Sequence, residues 1–205
     1  AERLLNACVA LDLLERDGER YRNSPLAEQC LVEGGPGSWG HMVSRMVGEF
    51  YETWGRLEEG IRRNQRVIPY EDRRRSDPET ARISTLGTYD SSRGRARLLA
   101  ERLDLSGAKR LLDVGGGSGV VSTTLAEQYP DLEALILDQP LVCEVAQEFI
   151  ARSPAASRIR TLNADYNRDE LPAGFDVVVL SNILHIEGAE ANRRLLARVY
   201  RSLHP

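Results

Sequence analysis

The sequence lacks several things, and each shortage excludes a class of protein. It has no basic excess: 27 Lys and Arg stand against 31 Asp and Glu, a net charge of −4 with a pI near 5.5. A chain that grips nucleic-acid phosphates normally carries surplus positive charge, so no nucleic-acid partner is expected. No apolar run approaches the roughly 18 residues that span a bilayer, and Ala1-Glu2-Arg3-Leu4-Leu5 lacks a signal-peptide core, so no membrane partner is expected. Cys8, Cys30 and Cys143 are far apart and form no CxxC pair; they read as reduced thiols of a cytoplasmic protein. Three histidines occur, none paired at ligand spacing, so no metal is expected. An initiator Met is missing too, and Ser202-Leu203-His204-Pro205 stops where a helix ends, so the chain reads as a fragment. What is present, 41% hydrophobic and 28% charged residues over 205 positions, suits one or two globular domains with a real core.

Residues 1–78 read as α-rich. Leu4, Leu5, Val9 and Leu11 suit a short helix, and Asp17-Gly18 suits a tight turn joining Leu13–Arg16 to Arg20–Asn23. Ser24-Pro25 opens a second helix through Leu31, completing a winged-helix pattern that Gly34–Gly37 terminates. Trp39, Met42, Val43, Met46, Val47, Phe50, Tyr51, Trp54, Leu57 and Ile61 recur with helical period, predicting one long helix from Ser38 to Arg63. Its apolar face reads first as core. The sharper reading makes it also the wall of a pocket for a flat apolar substrate, with Trp39, Met46, Phe50 and Trp54. Glu71–Pro78 reads as a solvated linker.

Residues 79–205 alternate helices and strands. Helices are expected at Arg93–Leu103, Gly119–Gln128, Leu141–Arg152 and Ala191–Leu203. Strands are expected at Arg110–Val114, Leu132–Leu137, Arg158–Leu162 and Phe175–Leu180. That order predicts an α/β domain with a parallel sheet and right-handed crossovers.

The chemistry gathers at the strand ends. Asp113-Val114-Gly115-Gly116-Gly117-Ser118-Gly119 joins a strand to a helix, and its glycines permit a sharp turn and close ligand approach. A dinucleotide fingerprint needs a further glycine where Val120 stands, and no Lys-Ser/Thr pair marks a phosphate loop. Asp138 ends the next strand, nineteen residues after Gly119, where a carboxylate can accept two ribose hydroxyls. Asp165-Tyr166 follows the third strand, placing an acceptor for an adenine amino group beside a ring that packs on the base. Each residue also has a plain reading, as a helix cap or a turn, but their order together points to an adenosyl ligand with a free ribose.

These motifs, with Leu137-Asp138-Gln139-Pro140, Asn163–Tyr166, Leu184-His185 and Phe50–Leu57, resemble the plant-type small-molecule O-methyltransferases and their bacterial relatives. The resemblance covers essentially the whole chain. It implies a Rossmann-like class I methyltransferase domain (79–205), truncated before its last strands, behind a winged-helix segment and linking helix (1–78) that serve dimerisation and line the acceptor pocket. It further implies S-adenosyl-L-methionine as cofactor, a small-molecule acceptor carrying an aromatic or polyketide-like hydroxyl, and a homodimer. Asp113, Gly115, Gly117, Asp138, Asp165 and Tyr166 match cofactor positions. Ser181 falls near the adenosyl group, where plant members usually carry Lys. His185 matches the catalytic base, although Ile186-Glu187 follows it here and Asp-Trp in plant enzymes. A neutral imidazole has the right pKa to deprotonate an acceptor hydroxyl near neutral pH, and Glu187 is a candidate to orient it. Other readings are C-methylation, a non-methylating relative on the same fold, and a winged-helix DNA-binding regulator; against the last, residues 1–11 offer only Arg3 as a basic side chain.

Overall fold

The computed structural model describes residues 1–32, 35, 37–65, 67 and 74–204. The expected break at 34–37 and linker at 71–78 lie partly outside these residues.

The N-terminal elements follow their local signals. Helix α1 spans Glu2–Ala10, and strands β1 (Leu14–Asp17) and β2 (Arg20–Asn23) pair antiparallel about Gly18, whose φ is +60°. Ser24 caps α2 (Pro25–Cys30) by accepting a hydrogen bond from the Ala27 N–H at 3.1 Å.

The long helix expected from Ser38 to Arg63 is not continuous. It divides into α3 (Gly40–Arg45), a π-helical turn (Met46–Phe50), α4 (Tyr51–Gly55) and, past a bend at Arg56, α5 (Leu57–Arg63). Two local causes are visible. Gly48 supplies no side chain to hold the turn, and the Thr53 hydroxyl donates to the Glu49 carbonyl at 2.8 Å, a back-bond that bends helices. The apolar stripe is not core within this chain either: Val47, Tyr51, Trp54 and Ile61 are each at least two-thirds exposed, and Met42 alone of the stripe is buried.

Helix α6 runs from Pro78 to Arg102, fifteen residues before the expected start. Asp77 caps it, accepting from the Thr80 N–H at 3.0 Å, with Pro78 at the first helical position. Its buried face is Ala81, Ser84, Thr85, Gly87, Asp90, Ala96 and Ala100, small and partly polar, so no hydrophobic period announces it. Small residues let α3 approach: a Cβ on Gly87 would lie 2.8 Å from Arg45 Cδ. Buried Asp90 fixes the contact by accepting from the Met42 N–H at 3.1 Å and pairing with His41 Nδ1 at 3.2 Å.

The sheet contains β3 (Arg110–Val114), β4 (Glu133–Asp138), β5 (Ile159–Asn163) and β6 (Val177–Val179), all parallel, in the order β5-β4-β3-β6. Expected strand positions hold to within one residue, except that β6 starts two residues later, with Phe175 forming an isolated bridge to Leu203. Helices α7 (Val120–Gln128) and α8 (Pro140–Ile150) lie with α6 on one face, and α9 (Ala189–Ser202) covers the other. Alternation along the strands feeds both cores: Leu111 and Ile136 face α6–α8, whereas Leu112 and Leu137 face α9. The chain steps outward from β3 to β5 and returns to the opposite side of β3 for β6. The carboxyl end of β3 is therefore the switch point where open α/β sheets form their crevice.

Arg158 ties the helical face together. Its guanidinium donates to the carbonyls of Ala126 (2.6 Å), Tyr129 (3.1 Å) and Leu132 (2.6 Å), which close α7 and the turn after it. Arg158→Ala leaves three carbonyls without that donor, and we expect a loss of about 2 kcal/mol, read from the urea unfolding midpoint.

Candidate functional site

The glycine turn lies at the switch point, at the carboxyl end of β3. Gly115, Gly117 and Gly119 have φ of +66°, +59° and +75°, a region L side chains rarely enter. Space imposes a second demand. A Cβ on Gly115 would meet Ile183 Cδ1 at 2.3 Å, and one on Gly116 would meet the Asp113 carboxyl carbon at 2.7 Å. The turn is locked to β4 by two hydrogen bonds, Gly115 N–H to the Leu137 carbonyl (2.7 Å) and Gly117 N–H to Asp138 Oδ2 (2.9 Å).

Above the turn lies a cavity of about 660 Å³. Its floor is Asp113 and Gly115–Ser118, and Asp138 and Tyr166 form one side. Ser181, Ile183 and His185, from the loop after β6, form another. Of the residues expected from sequence, Asp113, Gly115, Gly117, Asp138, Tyr166, Ser181 and His185 all reach this lining. Asp165 does not: its Oδ2 accepts from Arg75 at 2.8 Å, and its Oδ1 accepts from the Asn167 N–H at 2.9 Å. A larger hollow of about 890 Å³, on the other side of α6 beside His41 and Arg93, contains none of the expected residues.

The opposite wall was partly legible. Phe50 and Trp54 line the cavity, as the aromatic reading of the stripe anticipated, but Trp39 and Met46 stand outside it. Arg45 pairs with Glu49 at 3.0 Å and covers the Phe50 ring at 4.9 Å, so two charges in the wall neutralise each other. Sequence reading missed Arg74, Ser84, Thr88 and Ser92, which bring a cation and hydroxyls to the lining. The only signal for the last three is their spacing of four residues on α6.

Two carboxylates shape the electrostatics. Asp138 is 2% exposed; beyond Gly117, its Oδ1 accepts from the Gln139 N–H at 2.7 Å, and Arg74 Nη2 stands 3.8 Å away. Asp113 is fully buried. Burial, with the Asp138 charge nearby, pushes its carboxyl up to about 6 against the stabilising hydrogen bond from Ser122 (2.7 Å). Its Oδ1 has no partner among the described residues. Burial, and then the same Asp138 charge, raises the Cys143 thiol to about 11, which makes it an inert part of the wall behind Asp138. His185 is exposed toward the cavity, and no hydrogen bond among the described residues reaches its ring. Glu187 is engaged elsewhere, accepting from Asn167 Nδ2 at 3.2 Å, so it does not orient His185 as expected.

A parallel α/β sheet with a triple-glycine turn, a buried acid at the next strand end and an aromatic ring beside it defines a nucleoside-binding domain. The comparisons narrow that class. The family model described as an O-methyltransferase domain matches residues 49–205, and the chain belongs to that family. It is 40% identical over 200 residues to 3-hydroxy-5-methyl-1-naphthoate 3-O-methyltransferase of Streptomyces sahachiroi, covering 96% of this chain and 58% of that protein. It is 33% identical over 215 residues to N,N-dimethyltransferase OxyT of Streptomyces rimosus, covering 99% and 61%. The structure of human N-acetylserotonin methyltransferase in complex with SAM superposes with a TM-score of 0.85 at 26% identity, covering 100% of this chain and 62% of that one. The chain thus spans about three-fifths of the length of these relatives.

The buried carboxyl predicts a pH dependence. In the unfolded chain Asp113 titrates near 3.8, and in the fold near 6. Between these values the native state holds the proton more tightly, so stability falls as pH rises from about 4 to about 6. Asp113→Asn should abolish a contribution on the order of 3 kcal/mol across that window, seen as the difference between wild-type and variant urea midpoints at pH 4 and pH 7.

Proposed function

We propose that this chain forms the cofactor site and part of the acceptor site of an S-adenosyl-L-methionine-dependent O-methyltransferase. The observation that carries the reading is the cavity at the switch point. It brings the glycine turn, Asp138, Tyr166 and His185 to one space, roofed by Phe50 and Trp54.

The residues present fit the cofactor. Three left-handed glycines leave the floor open, and a Cβ on Gly117 would project into free space, with nothing nearer than Thr88 Oγ1 at 4.0 Å. Asp138, fixed by two backbone N–H groups, is the strand-end carboxylate that would accept ribose hydroxyls. The unpartnered Asp113 Oδ1 suits a cationic amino-acid head. Tyr166, 7% exposed and packed against the turn, offers a ring edge to the base, and Ser181 a hydroxyl. Asp165 reaches an adenine amine only once its bond to Arg75 is exchanged. S-adenosylmethionine would supply an electrophilic methyl group on a sulfonium. His185 takes the proton from an acceptor hydroxyl, and Phe50 and Trp54 hold a flat aromatic acceptor.

The naphthoate enzyme at 40% identity supports an aromatic, polyketide-like acceptor. OxyT favours a second reading, in which the acceptor is an amine. We divide the chain at 78/79 and read α1–α2 as the winged helix of a homodimerisation segment. The exposed Leu4, Leu11, Leu26, Val47 and Ile61 support that assignment, since monomers rarely leave so much apolar surface on one segment. The free thiols Cys8 and Cys30 support a cytoplasmic setting.

Methyl-labelled cofactor with 3-hydroxy-5-methyl-1-naphthoate, or with its 3-amino counterpart, tests the reaction by mass spectrometry. Label on the hydroxyl supports the first reading and label on the amine alone the second; calorimetry showing no cofactor binding overturns both. Gly117→Ala should cost the fold about 1 kcal/mol of left-handed strain while weakening S-adenosylhomocysteine at least about tenfold, measured by calorimetry. His185→Ala should lower kcat about 100-fold with unchanged cofactor affinity; an unchanged kcat removes His185 as base.

A further inference from the structure

The loop that presents His185 has little of its own to hold it. It leaves β6 through Asn182, whose φ is +60°, and within it the Ile186 N–H donates to the Ile183 carbonyl at 3.0 Å. Ile183, 5% exposed, pins the start of the loop against Gly115 and Tyr166. Leu184, His185 and Glu187 are exposed, and the helix that follows has no side-chain N-cap at Gly188.

A side chain of the following helix spans this stretch. Asn192, in the first turns of α9, reaches back toward the loop. Its Nδ2 donates to the Leu184 carbonyl at 2.6 Å and to the Glu187 carbonyl at 3.2 Å. These carbonyls flank His185 in sequence, one on its N-terminal side and one two residues beyond. The two protons of one amide therefore span the segment from which the imidazole projects. We propose that Asn192 is a positioning residue for His185, fixing the base against the cleft by clamping both sides of its backbone; this rests on the reading of His185 as base.

The chemistry requires this residue type. The clamp uses two N–H protons on one short side chain, which Asn supplies and Asp and Ser do not. Asn192 Oδ1 is buried and has no partner among the described residues. An unpartnered buried carbonyl is costly, and an apolar side chain of similar shape would avoid that cost, so the two donors account for an amide here. A second tie runs from the adenine side: Asn167, next to Tyr166, donates through Nδ2 to Glu187 Oε1 at 3.2 Å. The loop is thus held at Glu187 from both α9 and the segment after β5.

Asn192→Asp separates positioning from stability. It keeps the shape, and a negative charge in the first turns of α9 suits the helix dipole, but it faces two carbonyls with an acceptor. The urea midpoint should fall only modestly, as the loss of two donors requires, and S-adenosylhomocysteine affinity should stay near wild type. Amide exchange at residues 184–188 should rise at least about tenfold. In protein labelled at its three histidines, the ring signal lost in His185→Ala should shift, while those of His41 and His204 stay. Turnover of the naphthoate should fall about 10- to 100-fold with little change in KM, and Asn192→Asp/His185→Ala should be no slower than His185→Ala alone. Unchanged loop exchange and an unmoved His185 signal overturn the clamp, as does an equal loss of turnover from Asn192→Asp in the His185→Ala background. If His185→Ala costs nothing, it is the base assignment that falls, and the exchange and ring signals still decide the clamp.

Discussion

The hydrogen bonds that join the glycine turn to the end of β4 set the terms for everything around them. Gly115 N–H to the Leu137 carbonyl and Gly117 N–H to Asp138 Oδ2 hold a left-handed backbone within contact distance of its neighbours. That proximity forbids a Cβ at 115 and 116, buries Asp113 beneath the turn, and leaves Asp138 oriented before any ligand arrives. Ile183 fills the space that the missing Gly115 side chain leaves, so the loop bearing His185 is seated on the same constraint. A site assembled this way loses little freedom on binding, because its polar groups are already placed.

A different device joins the N-terminal segment to the sheet domain. Asp90 is buried among small residues of α6 and receives the Met42 amide and the His41 ring. A buried carboxylate is costly unless it is satisfied, so this contact fixes where α3 sits along α6. The placement of Phe50 and Trp54 over the cleft follows from that register, two turns further along the chain. The remaining apolar side chains of α4 and α5 are left at the surface.

Legibility varied with the kind of signal each element carries. The four strands and the helices α7, α8 and α9 were found within a few residues, because β3, β4 and β6 are largely apolar runs and the strand ends are followed by glycine, proline or acid. The first half of α6 was assigned no element, since its buried stripe of Ala, Ser, Thr, Gly and Asp has no hydrophobic period. The stripe from Trp39 to Ile61 failed in the opposite sense. Its period was real, but period alone registers neither the π turn at Met46–Phe50 nor the bend at Arg56, and an apolar face need not be covered by its own chain.

The sequence by itself determined the parallel α/β order, the triple-glycine turn, and the identity of the acids that follow successive strands. These are local matters: turn geometry, strand composition and residue spacing are written within a few positions of one another. Tertiary structure decided which of those residues meet. It drew Asp138, Tyr166, Ser181 and His185 into one cavity, turned Asp165 toward Arg75 instead, and committed Glu187 to Asn167 and not to the imidazole. It also set Asn192 against the backbone on either side of His185. Such pairings depend on distances between segments far apart in the chain, fixed by sheet register and by the close approach of helices, and no local pattern encodes them.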